Sequence, residues 1–209
     1  MVIKSFPPVE KADSDGLLAI GGDLEIESIL KAYSQGIFPW PFSRESPTAW
    51  FSPDPRGILH FDDLIISTSM RKLIKRKKFS FQMNKNFEKV IYNCAKAHEN
   101  NGVWLNQDMI DAYINLHNAG FAYSAETYNK NRELVGGLYG VKIGRFISGE
   151  SMYYHESNAS KFALIELILF LKQRNIKWID TQMITPVIAK LGGKEVSRTL
   201  FIKMLNDSL

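Results

Sequence analysis

Two carboxylates and an amide, on a predicted strand or just after one, are the residues best suited to chemistry in this 209-residue sequence. Asp180 and Gln182 follow a predicted strand over residues 176–179. Residues two apart on an extended chain point the same way, so both side chains can face one pocket. Glu150 stands among apolar neighbours, where a carboxylate is costly without a partner. That partner could be a cationic substrate group or an internal Lys or Arg, and Asp180 could instead be a turn or cap residue.

A cluster of cations is the second candidate feature. The stretch RKLIKRKK, residues 71–78, places six cations in eight positions. Met70, Leu73 and Ile74 fall at helical spacing, so the cations share the opposite arc of the helix. Such an arc can hold nucleic-acid phosphates, although most charge runs are solvated helix faces. Both interpretations stay open at this level.

Composition and patterning argue against several classes of protein. The longest apolar run, 162–171, is interrupted by Glu166 and is shorter than the roughly 20 residues that span a bilayer. The N-terminus lacks the pattern of a secretory signal, so we expect a cytoplasmic protein without membrane association. The four histidines are scattered and Cys94 is the one cysteine, so neither a metal site nor an internal disulfide is expected.

The density of proline and glycine and the spacing of apolar residues predict the elements that must position these residues. Pro and Gly crowd the first third, which we expect to be mostly loops around one helix near residues 26–33. Their density falls near residue 62, which predicts a small N-terminal domain, 1–62, and a larger domain, 63–209. The larger domain alternates helical and strand patterns and contains a predicted antiparallel meander at 121–128, 133–141 and 145–153.

A long helix from Asn158 follows this meander, and the strand before Asp180 and further helices come next. The order predicts an α+β fold, a mixed sheet with helices packed on it. It is similar to the order found in acyltransferases of the N-acetyltransferase (GNAT) superfamily. Such a topology does not by itself fix a function.

Seven stretches together resemble the leucyl/phenylalanyl-tRNA–protein transferase family. They are GLLAIGGDL (16–24), GIFPWPF (36–42), WFSPDPRGIL (50–59), GGLYGV (136–141), SGESMYY (148–154), NASK (158–161) and IDTQ (179–182). The match runs in register from about Phe6 to about Leu205, and WFSPDPR followed by GESM is highly specific. The resemblance implies a small N-terminal domain and a C-terminal domain of the GNAT type.

The resemblance also implies an activity. It is the transfer of Leu or Phe, and less readily Met, from aminoacyl-tRNA to proteins that begin with Arg or Lys, which in bacteria creates a degradation signal. No cofactor is implied, because the ester bond to tRNA already activates the amino acid. The acceptor α-amine has an ordinary pKa of roughly 7.7–8.0, so the reaction needs orientation and charge stabilisation rather than a strong base. A monomer is expected.

Each candidate residue takes a role from the resemblance. Asp180 and Gln182 match the proposed catalytic pair, in which the carboxylate polarises the amide and the amide oxygen accepts the amine hydrogen. Glu150 is assigned to substrate binding. The cations that hold tRNA phosphates without reading sequence are Arg71, Lys72, Lys75 and Arg76.

A pocket for the donor side chain is also implied by the resemblance. Its lining positions are Trp50, Trp104, Leu138, Ile147 and Leu167. Trp104 could instead stack on the terminal adenosine of tRNA or be a core residue. The aliphatic members could be ordinary core residues. They are shorter than the Met or aromatic residues of the family pattern, so the ranking of Leu against Phe is left open.

Two other functions fit the same scaffold. An acetyltransferase that uses acyl coenzyme A would bind the pyrophosphate through a glycine-containing loop before a helix. This chain has YYHESNAS there, without glycine, which argues against that function. A non-catalytic RNA-binding protein is the second alternative, and the presence of Glu150, Asp180 and Gln182 argues against it.

Overall fold

A computed structural model describes residues 2–41, 46–97 and 105–209. Within these ranges the α-helices are α1 Ile26–Ser34, α2 Thr68–Lys75, α3 Phe87–Ala97, α4 Gln107–Asn118, α5 Ala159–Lys172, α6 Pro186–Lys190 and α7 Arg198–Asn206. The strands are β1 Leu17–Ile20, β2 Phe38–Pro39, β3 Ala49–Phe51, β4 Arg56–His60, β5 Ser80–Met83, β6 Ala122–Tyr128, β7 Leu134–Ile143, β8 Phe146–Ile147, β9 Ser151–Tyr154, β10 Trp178–Gln182 and β11 Lys194–Val196. The predicted α+β class is confirmed.

Three sheets organise the described residues. A small N-terminal sheet has the order β1-β3-β2, and a second has the order β10-β4-β11. The largest runs β5-β6-β7, and β8 and β9 both pair with β7. A parallel bridge between Ser148 and Asp180 joins the second sheet to the third, and the Gly149 N–H donates to the Asp180 carbonyl at 2.8 Å.

Helices cover both faces of the large sheet. Adjacent residues of a strand point to opposite faces, so neighbours on one strand pack against different helices. On β7, Tyr139 belongs to a hydrophobic cluster with α1, α3 and α4. Its neighbour Leu138 belongs to a second cluster with α5 and with Met70 of α2. The site described below therefore lies within a framework packed from two sides.

The N-terminal segment shares this framework. Strand β4, which falls in the predicted N-terminal domain, pairs with β10 and β11 from the C-terminal part. Tyr33 of α1 packs in one hydrophobic cluster with Tyr113 of α4. A boundary near residue 62 stays a prediction.

Capping side chains and a glycine mark the ends of several helices. Asn106 Oδ1 accepts from the Met109 N–H at 3.0 Å at the start of α4. Gly120 has a φ of +86° just after that helix, a left-handed conformation that favours glycine. Thr185 and Ser197 cap α6 and α7 in the same way, since each side chain accepts from a backbone N–H three residues later.

The prediction of one continuous strand over residues 145–153 is wrong. The chain forms β8 and β9 with a break between them, at residues 148–150. Across the break the N–H groups of Ser148 and Glu150 still donate to carbonyls of β7, but the register shifts by one residue, from Lys142↔Ile147 to Tyr139↔Ser151. The Gly149 N–H between them points to the other side and donates to Asp180. Glu150 therefore lies at the interruption, next to β10.

Candidate active site

A cavity of about 480 Å³ lies between β9 and β10, beyond the bridge that joins them. Most of its wall is apolar and includes Leu138, Leu164, Ile179, Val187 and Ile188. Polar groups border it at Glu150, Gln182 and Ser160. An apolar cavity with a few convergent polar groups is the usual form of a small-ligand site.

A fully buried ion pair stands beside the cavity wall. Arg56 Nε and Nη2 donate to the two carboxylate oxygens of Asp180 at 2.9 and 2.6 Å. Arg56 Nη1 donates to the Gly36 carbonyl at 3.0 Å. The guanidinium lies between the rings of Phe38 and Phe201, 4.6 and 4.4 Å from their centroids. Loss of one partner would leave a buried unpaired charge, which costs about 3–5 kcal/mol.

The same carboxylate shapes the end of β10. Asp180 Oδ1 also accepts from the backbone N–H of Gln182 at 2.9 Å. The pairing of β10 with β4 is irregular between these two residues, and Gln182 has a φ of +60°. This left-handed conformation is uncommon outside glycine and persists where the surroundings hold it. It turns the Gln182 side chain into the cavity, where Nε2 donates to Glu150 Oε2 at 2.8 Å.

The expected extended geometry of Asp180 and Gln182 is therefore wrong, because the strand is irregular between them. Asp180 faces Arg56 in the interior, and Gln182 faces the cavity. The carboxylate contacts the backbone of Gln182, while the side-chain amide contacts Glu150. Their catalytic roles stay predictions.

Glu150 accepts hydrogen bonds from two side chains at the polar end of the cavity. Ser148 Oγ donates to its Oε1 at 2.6 Å and Gln182 Nε2 to its Oε2. Burial raises the pKa of Glu150, and the hydrogen bonds from Ser148 and Gln182 oppose that rise. No Lys or Arg within residues 2–41, 46–97 or 105–209 forms a salt bridge with it. An internal ion pair is thus not seen in that part of the chain.

Two buried tyrosines extend this network to the N-terminal segment. The Tyr113 hydroxyl lies 3.5 Å from Glu150 Oε2, and it shares a 2.7 Å hydrogen bond with the Tyr33 hydroxyl. Burial raises the pKa of both tyrosines, so they are neutral hydrogen-bonding groups at physiological pH. Because Tyr33 lies on α1, the N-terminal segment contributes to the surroundings of Glu150.

The predicted pocket residues lie in different environments. Leu138 lines the cavity. Ile147 and Leu167 are buried in the hydrophobic cluster around α5 and are not part of the cavity lining. Trp50 is buried too, with its Nε1 donating to the Gly21 carbonyl at 2.8 Å. Trp104 lies outside the described residues.

Sequence reasoning missed three large side chains of the lining. Trp40, Met152 and Met183 all border the cavity. Trp40 belongs to the GIFPWPF stretch, where it stands between two prolines rather than in a core pattern. Met152 belongs to GESMYY, immediately after Glu150. Both lie in stretches that carried the family resemblance, and that was the available signal.

The predicted basic arc is a helix face. Met70, Leu73 and Ile74 of α2 pack into the hydrophobic cluster around α5. The cations exposed on and just after this helix include Arg71, Lys72, Lys75 and Arg76. Their contact with tRNA stays a prediction.

Neither a candidate metal cluster nor a candidate membrane-spanning helix occurs within residues 2–41, 46–97 and 105–209. No group of three or more His, Cys, Asp or Glu side chains there could hold a metal ion. No helix in that part of the chain is long and apolar enough to cross a membrane.

Comparison with known proteins decides the family. The model of the leucyl/phenylalanyl-tRNA protein transferase family matches residues 58–206, and the model of its N-terminal domain matches residues 22–54. The chain belongs to the leucyl/phenylalanyl-tRNA protein transferase family. As a member it is an aminoacyltransferase that moves Leu or Phe from aminoacyl-tRNA to protein.

Two relatives show how far the similarity to the transferase family extends. The leucyl/phenylalanyl-tRNA–protein transferase of Flavobacterium johnsoniae is 48% identical over 204 residues, which cover 97% of this chain and 95% of that protein. The transferase of Maridesulfovibrio salexigens is 43% identical over 206 residues, which cover 98% and 85%.

Solved structures with lower similarity to this transferase include L-PGS from Bacillus licheniformis. Its TM-score is 0.44 at 15% identity, and the match covers 75% of this chain and 50% of that chain. An acetyltransferase of the GNAT family from Staphylococcus aureus has a TM-score of 0.35 at 15% identity, with 46% and 69% covered.

We predict that Arg56→Lys lowers kcat by about tenfold or more while KM for charged tRNA changes little. Lysine keeps the charge but lacks the fork that holds both oxygens of Asp180. Steady-state transfer assays, with a thermal unfolding curve for each protein, measure the effect. Arg174→Lys, at an exposed arginine, is the matched control. An unchanged kcat in Arg56→Lys would show that the reaction does not depend on the two-point contact between Arg56 and Asp180.

We predict that Glu150→Gln is more stable than the parent protein at neutral pH. Burial raises the pKa of Glu150 in the folded state, so the folded protein binds more protons than the unfolded chain. The parent should lose stability as pH rises from the unfolded pKa of roughly 4.3 through the raised folded value, and glutamine has no such loss.

Urea denaturation between about pH 4 and pH 8 measures this difference. The advantage of Glu150→Gln should grow with pH over that range. Glu195→Gln, at an exposed position, is the control and should show no such trend. A constant difference between Glu150→Gln and the parent at every pH would contradict the prediction.

Proposed function

We propose that this transferase joins Leu or Phe, and less readily Met, to the α-amine of proteins that begin with Arg or Lys. The observation that supports this proposal most directly is the place of Glu150. It is a carboxylate with no cation partner among the described residues, and it lies at the polar end of an apolar cavity. The apolar walls suit the donor side chain, where one methylene is worth about 1–3 kcal/mol of discrimination. The carboxylate suits a cationic group of the acceptor.

In the proposed reaction the acceptor nitrogen attacks the ester carbonyl carbon of the donor. A C–N bond forms, the C–O bond to the terminal ribose of tRNA breaks, and one amine proton must leave. Gln182 Nε2 donates to Glu150, which leaves the Gln182 carbonyl oxygen available to accept a hydrogen bond from the amine. The proton lost by the amine is finally carried by the ribose hydroxyl.

Asp180 acts in this proposal as a positioning residue. Its two oxygens are held by Arg56, and one of them also holds the backbone N–H of Gln182. With both oxygens held in the interior, this carboxylate is not part of the cavity lining. Its contribution is the left-handed turn at Gln182, which aims the amide at Glu150.

The partners follow from the same proposal. The exposed cations of α2 hold the acceptor stem of aminoacyl-tRNA through its phosphates, so the amino acid and not the tRNA sequence is selected. The enzyme acts as a monomer in the cytoplasm, where charged tRNA is found. Its product is a protein with a new N-terminal degradation signal.

The direct test mixes the purified protein with Leu-, Phe-, Met- or Ile-charged tRNA and peptides that begin with Arg, Lys or Ala. The mass of each peptide is followed. We expect addition of Leu and Phe to the Arg and Lys peptides, with less addition of Met. Binding of charged tRNA without any product would show a binding protein instead, and addition to the Ala peptide would refute the acceptor specificity.

We predict that the combined change Arg71→Glu, Lys75→Glu and Arg76→Glu weakens binding of all charged tRNAs to a similar extent. Reversal of three phosphate contacts also lowers the salt dependence of binding. Filter binding at several salt concentrations, with two tRNAs that carry Leu, measures both effects. A loss confined to one tRNA would contradict contact through phosphates alone. Lys190→Glu, on α6, is a single-reversal control.

A further inference from the structure

Besides Glu150 and Gln182, polar atoms at the start of α5 border the cavity. Ser160, in the first turn of this 14-residue helix, lines the cavity and is only 5% exposed. Its hydroxyl has no hydrogen-bond partner within residues 2–41, 46–97 and 105–209. The backbone N–H groups of Ser160 and Lys161 lie in the turn where no carbonyl is available from within the helix. The Lys161 ammonium lies nearby, donating to Asn158 Oδ1 at 3.1 Å.

The sheet holds this end of the helix in place. A Cβ at Gly136 of β7 would lie 2.6 Å from the Ala159 Cβ, so only glycine permits the observed approach. Thr127 Oγ1 of β6 donates to the Ala159 carbonyl at 2.8 Å. The carboxylate of Glu156, which precedes the helix, is paired with Lys78. The first turn of α5 is therefore held against the sheet, and the acidic residue that precedes it is paired with Lys78.

Strand β9 sets the separation between this turn and Glu150. Tyr154, the last residue of β9, pairs with Gly136 beneath the start of α5. Glu150 directly precedes the first residue of β9. Four residues of extended chain separate Glu150 from Tyr154, which is about 13 Å at about 3.3 Å per residue. This span is long enough for one nucleotide, with the acceptor amine between its 3′ ester and Glu150.

We propose that the first turn of α5, with the Ser160 hydroxyl and the Lys161 ammonium, is a subsite for the 5′-phosphate of the terminal nucleotide of the donor tRNA. This inference rests on the proposed function. Orphan N–H groups and the positive end of a helix favour an anion, and the hydroxyl and ammonium add two further donors. Phosphate at this subsite and the ester near Glu150 would fix both ends of the nucleotide across the cavity.

The test uses two small donors, 3′-O-leucyl-adenosine and the same molecule with a 5′-phosphate, with an Arg-initiated peptide as acceptor. We expect the phosphate to lower KM for the donor by about tenfold in the parent protein, as for a charge-assisted contact. In Ser160→Ala and in Lys161→Met this advantage, taken as the ratio of the two KM values within each variant, should shrink. Lys172→Met, in the last turn of the same helix, is the control and should keep the full advantage.

Equal KM values for the two donors in the parent protein would overturn the subsite. A full phosphate advantage in both Ser160→Ala and Lys161→Met would also overturn it, as would an equal loss in Lys172→Met. Transfer from intact leucyl-tRNA, run beside these assays, reports on the proposed function separately. Its absence would refute that function, whereas its presence with no phosphate advantage would refute only the subsite.

Discussion

The buried pair between Arg56 and Asp180 is the interaction on which the site depends. The guanidinium joins β4 to β10, to the Gly36 carbonyl and, through Phe201, to α7. A charge in that position is stable only with its full set of partners, because an unpaired ion in the interior is costly. The elements around Arg56 are therefore held in one arrangement. The turn at Gln182 is part of that arrangement, since Asp180 also binds its backbone N–H.

The different contacts of Asp180, Glu150 and Gln182 fit the chemistry of the family. An activated ester and an amine that is partly neutral at physiological pH need alignment more than a strong base. Asp180 is engaged by Arg56 and shapes the backbone, while Glu150 and Gln182 are the polar groups that face the cavity. The tyrosine pair brings α1 and α4 to the same place, so both parts of the chain surround Glu150.

Local features could be predicted from the sequence, and features that depend on distant contacts could not. Asn106 and Gly120 delimit α4 through their own hydrogen bonding and backbone freedom, so that helix was predictable. The break before β9 is a shift in register against β7, beside the hydrogen bond from Gly149 to Asp180, and no local pattern contains it. In the same way, two tryptophans of the family stretches could not be told apart by type. Contacts place Trp40 at the cavity and Trp50 in the N-terminal core.

A double-mutant cycle between Asp180→Asn and Gln182→Ala, measured on kcat, tests the central claim that Asp180 acts through Gln182. If it does, removal of the Gln182 side chain takes away what Asp180 positions. The account then predicts that Asp180→Asn causes little further loss of kcat in the Gln182→Ala background, although it is strongly harmful alone. Additive losses would contradict the account and would assign Asp180 a role in the reaction that is independent of Gln182.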